Sequence, residues 1–121
     1  MPLYDVEHFI PLTEEQQSSL AIAFTKLHAT RFKTPKFFVN VRYSNVSSQA
    51  VYRGGRKVEY NRVILRTRVG EQRAKDLYDE HCRDIVAIWE KNIGRGGVEG
   101  LRAVWVLGAL TTAVENGIAR P

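Results

Sequence analysis

Cysteine is nearly absent: Cys82 is the only one in 121 residues. No internal disulfide can form, so the chain is read as a protein of the reducing cytoplasm. One thiol and three scattered histidines (His8, His28, His81) exclude a zinc finger or ribbon, and no metal is expected. No run of about 18 apolar residues occurs, so no membrane-spanning helix and no membrane partner are expected. The opening Met1-Pro2-Leu3-Tyr4-Asp5 has neither a basic nor an apolar segment and is not read as a secretion signal. Phosphate-binding signatures are missing too. Gly54-Gly55-Arg56-Lys57 and Gly94-Arg95-Gly96-Gly97 fit neither the P-loop spacing nor the dinucleotide glycine fingerprint. Both are read as turns, and no cofactor is expected. No Ser-His-Asp or Cys-His set stands out, since Cys82 falls inside a helical pattern.

What remains is an ordinary globular composition, 44% hydrophobic and 26% charged. Domains usually run about 100–150 residues, so residues 1–121 make one domain. Eighteen Lys and Arg against thirteen Asp and Glu leave a net charge of +5. That balance suits nucleic acid or small anionic substrates, and it also serves solubility alone.

Residues 3–10 carry β-formers and are read as a strand. Thr13-Glu14-Glu15-Gln16 has the form of a capping box, opening a helix to about residue 29 or 30. Thr34-Pro35 blocks its continuation. Residues 36–43 read as a second strand, with Phe37, Val39, Val41 and Tyr43 on one face. Gly54-Gly55 suits a tight hairpin. Residues 62–68 form a third main strand, 71–92 a long helix, and 101–107 a fourth strand. Residues 111–116 read as a short helical turn. The order strand–helix–strand, hairpin, strand–helix–strand contains two similar units, about 2–44 and 61–108. Each needs a parallel crossover, right-handed in nearly all proteins. The predicted fold is α/β, a two-layer sandwich of four main strands with two helices on one face. Apolar residues on the other face have no helix to cover them, so an oligomer is expected.

Several residues could carry chemistry. Removal of Met1 would leave Pro2 with a secondary amine. Ordinary α-amino groups titrate near about 7.7–8.0, and burial or nearby cations lower that, which suits a general base near neutrality. Arg66 and Arg68 lie two apart on one strand, and Arg73 follows across the turn; Arg68 and Arg73 could grip one carboxylate with planar forks. His28 ends the first helix, where the dipole favours a cation. His81 falls within an apolar stripe and is read as a core histidine. Glu115 sits beyond the last strand, in Val114-Glu115-Asn116-Gly117.

Together these features are more specific than any alone. A second-position proline opening a strand, two β-α-β units and the turn Arg68-Val69-Gly70-Glu71-Gln72-Arg73 resemble the tautomerase superfamily. The likeness is to its fused-repeat branch, which includes the cis-3-chloroacrylic acid dehalogenases and oxalocrotonate tautomerase-like proteins. It runs from Met1 to Gly117. The resemblance implies Pro2 as catalytic base, His28, Arg68 and Arg73 as holders of a substrate carboxylate, and Glu115 as the group that positions water in the dehalogenases. It also implies a homotrimer. One position departs: the dehalogenase tyrosine two residues before a glycine on the last strand is Val106 here, with Trp105 beside it.

The function expected is therefore tautomerisation of a small, enolisable carboxylate. Hydration or dehalogenation of a cis-3-haloacrylate is the alternative within the enzyme class, with Pro2 as acid and Glu115 activating water. A basic nucleic-acid-binding domain is the alternative outside it, using Arg53, Arg56 and Lys57 with Tyr52 for stacking. A chain that kept the fold and lost the activity is a third.

Overall fold

The computed structural model describes residues 2–67, 75–108, 113–115 and 118–120. Strand β1 (Leu3–His8) leads into helix α1 (Glu14–Phe32). The capping box forms as the sequence predicts: Gln16 N–H donates to Thr13 Oγ1 at 3.1 Å, and Thr13 N–H to Gln16 Oε1 at 2.9 Å. Glu14 and Glu15 lie in the first turn, where the helix dipole favours acids. The helix runs on to Phe32. Its stop is Lys33, which takes the left-handed conformation (φ 52°). Pro35 constrains only Thr34 before it, so the end falls later than the Pro signal suggested.

Lys36–Phe38 is a 3-10 turn rather than the start of the second strand. Phe37 is consequently exposed, and the apolar face of β2 (Asn40–Asn45) is Val41 and Tyr43. The hairpin at Gly54-Gly55 joins β3 (Tyr52–Arg53) to β4 (Arg56–Lys57), with positive φ at both glycines. Strand β5 (Asn61–Thr67), helix α2 (Lys75–Asn92) and strand β6 (Leu101–Gly108) form the second unit. Residues 71–74, predicted to open α2, lie outside the described residues. Of the helical turn expected at 111–116, the described residues are strand instead: β7 (Ala113–Glu115) pairs antiparallel with β8 (Ile118–Arg120). In the sequence, the two residues between these strands are Asn-Gly, a pair that favours hairpins over helix.

The four main strands lie in the order β2-β1-β5-β6. The pairs β1–β2 and β5–β6 are parallel, while the central β1–β5 pair is antiparallel. Two β-α-β units thus meet back to back, with both helices on one face. Alternation along each strand sorts the side chains. Tyr4 and Val6 of β1 and Val63 and Leu65 of β5 are fully buried with Leu20, Phe24, Ile85 and Trp89 of the helices. Burying one such side chain stabilises by about 1.5–3 kcal/mol.

Asn61 ties the second unit together. Its Oδ1 accepts from Phe9 N–H, and its Nδ2 donates to the carbonyls of Val98 and Gly100. The opposite sheet face is charged and partly apolar. Asp5, only 4% exposed, is gripped by Arg42 and Arg66. Arg62 bonds Glu7 and lies 5.0 Å from the ring centre of Trp105. Trp105 and Leu107 stay 45% and 40% exposed there, and no described helix covers them. No helix among the described residues is long and apolar enough to cross a membrane.

Candidate active site

The strand register gathers four chain ends around Pro2. Pro2 is buried just ahead of β1, and its carbonyl accepts from Asn40 N–H at 3.0 Å, at the start of β2. Leu3 pairs with Arg66 near the end of β5, and Thr67, the last residue of β5, pairs with Gly108 at the end of β6. From these ends the chain continues into residues 68–74 and 109–112. Arg68 and Arg73 lie outside the described residues. Glu115 lies on β7 and pairs through its backbone with Ile118, so it belongs to a strand rather than a turn.

The helices bring further side chains to this end. Helix α1 runs back from the far end of β1, so its last turns return toward Pro2. Tyr4 shares the inward face of β1, two residues from Pro2. Its ring stacks on Phe24 with centroids 5.5 Å apart. Its hydroxyl lies 2.7 Å from His28 Nδ1 and 2.7 Å from His81 Nε2. Both histidines are buried, at 2% and 0% exposure. His28 is therefore not a solvent-facing helix cap. It is part of a polar cluster inside the core, among Tyr4, Phe32 and His81.

His81 is buried, as its place in the apolar stripe suggested, and its polar partners define its role. Its Nδ1 lies 3.1 Å from Arg31 Nη1. Arg31 in turn bonds Asp84 at 2.5 Å, with Glu80 at 3.7 Å. Burial, and then the Arg31 cation, push the His81 pKa down to about 4, so the ring is neutral at physiological pH. Burial raises the Tyr4 phenol well above its ordinary value, so it stays protonated. Tyr78 stacks on Phe32 with centroids 5.6 Å apart, and its buried hydroxyl has no partner among the described residues. A buried hydroxyl without a partner costs about 1–3 kcal/mol.

Tyr4, Arg31, Tyr78 and Asp84 were not singled out as site residues in the sequence. A signal existed: Tyr78, His81 and Asp84 recur at three-residue spacing, as do His28 and Arg31, so each set shares a helix face. The remaining candidates lie elsewhere. Tyr52, Arg53, Arg56 and Lys57 sit exposed on the small hairpin. His8 Nδ1–H donates to the Ile10 carbonyl at 2.7 Å. Cys82 is half-buried, and burial raises its thiol pKa, which makes it a poor nucleophile. Val106 packs against the core, opposite Leu65, while Trp105 faces the other side.

Solved proteins of several names share this architecture. A solved member of the cis-3-chloroacrylic acid dehalogenase family superposes with a TM-score of 0.71 at 18% identity, covering 98% of this chain and 83% of that one. A wild-type fused 4-OT, an asymmetric trimer, gives 0.70 at 13% identity over 88% and 85%. Pt0534, solved after inactivation by 2-oxo-3-pentynoate, gives 0.66 at 12% identity over 88% and 85%. At such identities these likenesses establish the fold. No curated protein sequence matches the chain significantly. The model of one sequence family, described as "Putative oxalocrotonate tautomerase enzyme", matches residues 1–95. By that match, over most of its length, the chain belongs to this oxalocrotonate tautomerase family of the tautomerase superfamily.

Proposed function

We propose that the chain is a tautomerase whose general base is the nitrogen of Pro2, freed by removal of Met1. The observation that carries this reading is the position of Pro2. It is buried and fastened to β2, at the sheet end where β5 delivers the chain to Arg68. A secondary amine there is a base when neutral, and an α-amino group titrates near about 7.7–8.0 before its surroundings act. A guanidinium close by disfavours the ammonium and keeps the amine available.

In the scheme, Arg68 and Arg73 hold the substrate carboxylate and His28 orients it. The Pro2 nitrogen takes the proton of an enol hydroxyl as the enol oxygen becomes a carbonyl. The same proton is then delivered to the carbon at the other end of the π-system. Charge and atoms balance without a cofactor. Three copies would complete the assembly, with the face carrying Trp105 and Leu107 turned toward its neighbours. The two β-α-β units, about 2–44 and 61–108, are read as fused copies within a single domain. The free Cys82 is in keeping with a cytoplasmic setting.

Hydration or dehalogenation of a haloacrylate is the second reading, favoured by the likeness to the dehalogenase family. It needs water activated by Glu115 and a group to orient that carboxylate. Val106 cannot hydrogen-bond and packs into the core. General-base assistance is worth about 10²–10⁴-fold, so losing its orientation should weigh on hydration first. The test compares kcat/KM on phenylenolpyruvate and cis-3-chloroacrylate. Tautomerisation should be the faster by a wide margin; equal efficiencies would overturn the assignment in favour of the second reading.

A further inference from the structure

We propose that Arg31 and His81 are positioning residues that fix His28 in the form protonated at Nε2, making it a hydrogen-bond donor rather than a base. The inference rests on the reading of His28 as a holder of the substrate carboxylate. It follows from counting donors along one buried chain of contacts.

Arg31 has only donors to offer. Its Nη1 faces His81 Nδ1 at 3.1 Å, so that nitrogen must accept. A neutral imidazole carries one proton, and the His81 proton therefore resides on Nε2. That N–H points at the Tyr4 hydroxyl, 2.7 Å away, and donates to its oxygen. Tyr4 has a single O–H, which is left for His28 Nδ1, also at 2.7 Å. His28 Nδ1 thus accepts, and the proton of His28 is on Nε2. Were His28 Nδ1 to donate as well, the Tyr4 O–H, whose contacts are His28 and His81, would be left in the core without an acceptor.

The chain has a fixed origin. Arg31 is held by Asp84 and Glu80 of α2, whose side chains remain 42% and 60% exposed. It reaches His28, 2% exposed, beside Tyr4 of β1, Phe32 of α1 and His81 of α2. A protonated His81 would turn Nδ1–H toward the guanidinium and break the sequence. The low His81 pKa, about 4, agrees with that conflict. At the far end a donor is what a carboxylate requires, since a carboxylate only accepts.

Long-range 1H–15N NMR of the full-length labelled protein at pH 7.5 reads the tautomers directly. His28 and His81 should both appear protonated at Nε2. His8 is the internal control, because its Nδ1 lies 2.7 Å from the Ile10 carbonyl and must donate. Finding His28 protonated at Nδ1 in the wild-type protein would overturn the proposal without recourse to any variant. Arg31→Met should release the fixed tautomer of His28 and lower kcat/KM about tenfold, mainly through KM. Arg31→Lys, which keeps a donor, should restore both. Unchanged tautomers in Arg31→Met would refute the origin of the chain. Fixed wild-type tautomers with full activity in Arg31→Met would refute the positioning role. Neither result bears on Pro2, whose role is read separately by covalent labelling.

Discussion

Replacing His81 by glutamine should flatten the dependence of stability on mild acid. In the folded protein His81 is neutral down to about pH 4, because it is buried and faces Arg31. In the unfolded chain it titrates near about 6.5. The unfolded state therefore binds the extra proton first, and stability falls as pH drops below about 6.5. The loss continues until the folded protein also protonates, near pH 4, and then saturates. Each pH unit within the window is worth about 1.4 kcal/mol. From pH 7.5 the deficit should reach about 1 kcal/mol at pH 5.5 and about 2–3 kcal/mol at pH 4.5. Other groups that titrate in acid contribute alike to both proteins. The comparison is therefore wild type against His81→Gln, by urea unfolding at fixed protein concentration across that range. The variant should be less stable at pH 7.5, and the gap should narrow by the amounts above on acidification. Parallel curves would mean that His81 accepts a proton in the folded state as easily as in the unfolded one, and the account of the Arg31–His81 contact would be wrong.

Tyr78→Phe should raise stability by about 1 kcal/mol, because it removes a buried hydroxyl without a partner among the described residues; a loss in thermal or urea unfolding would reveal a partner. Leu107→Glu should break the proposed trimer, since a charge would stand on the face left uncovered by the helices. Sedimentation at micromolar concentration checks it: trimer becoming monomer is expected, and an unaffected trimer would place the interface elsewhere. Arg68→Ala should reduce kcat/KM on an enolisable carboxylate by about ten- to a hundredfold, while Arg56→Ala, on the exposed hairpin, should not. Equal losses at both would point to general charge attraction rather than a dedicated clamp.

Features set by local chemistry were legible in the sequence. The Thr13–Gln16 capping box, the Gly54-Gly55 hairpin and the two strand–helix–strand units depend on neighbours close along the chain, and each stands in the structure. Errors arose where two local signals competed. Thr34-Pro35 bars helix at its own position, but the left-handed Lys33 ends α1 at Phe32, two or three residues later than expected. Lys36–Phe38 reads as strand by composition, yet it forms a 3-10 turn. Asn116-Gly117 is a hairpin signal stronger than the helical pattern of the residues before it. The polar cluster was harder. His28, Tyr4 and His81 come from three elements, separated by 24 and 77 residues from Tyr4. Only the packing of α1 against α2 over β1 brings them together. Sequence spacing could place each histidine on a helix face, but it could not show that one phenol bridges both.

The proposed activity depends on the Pro2 nitrogen being a free, neutral amine at the site. This requirement can be tested with 2-oxo-3-pentynoate, the compound that inactivates Pt0534. A neutral amine adds to the conjugated alkyne, forming a C–N bond at the β-carbon while a proton ends on the α-carbon, and the whole reagent is retained as added mass. Intact mass and peptide mapping of the treated protein should show one adduct per chain, on Pro2, with tautomerase activity lost in proportion. A Met1-retaining form should resist labelling, because its Pro2 nitrogen is an amide. Stoichiometric labelling at any other residue, or full activity after Pro2 is labelled, would contradict the account.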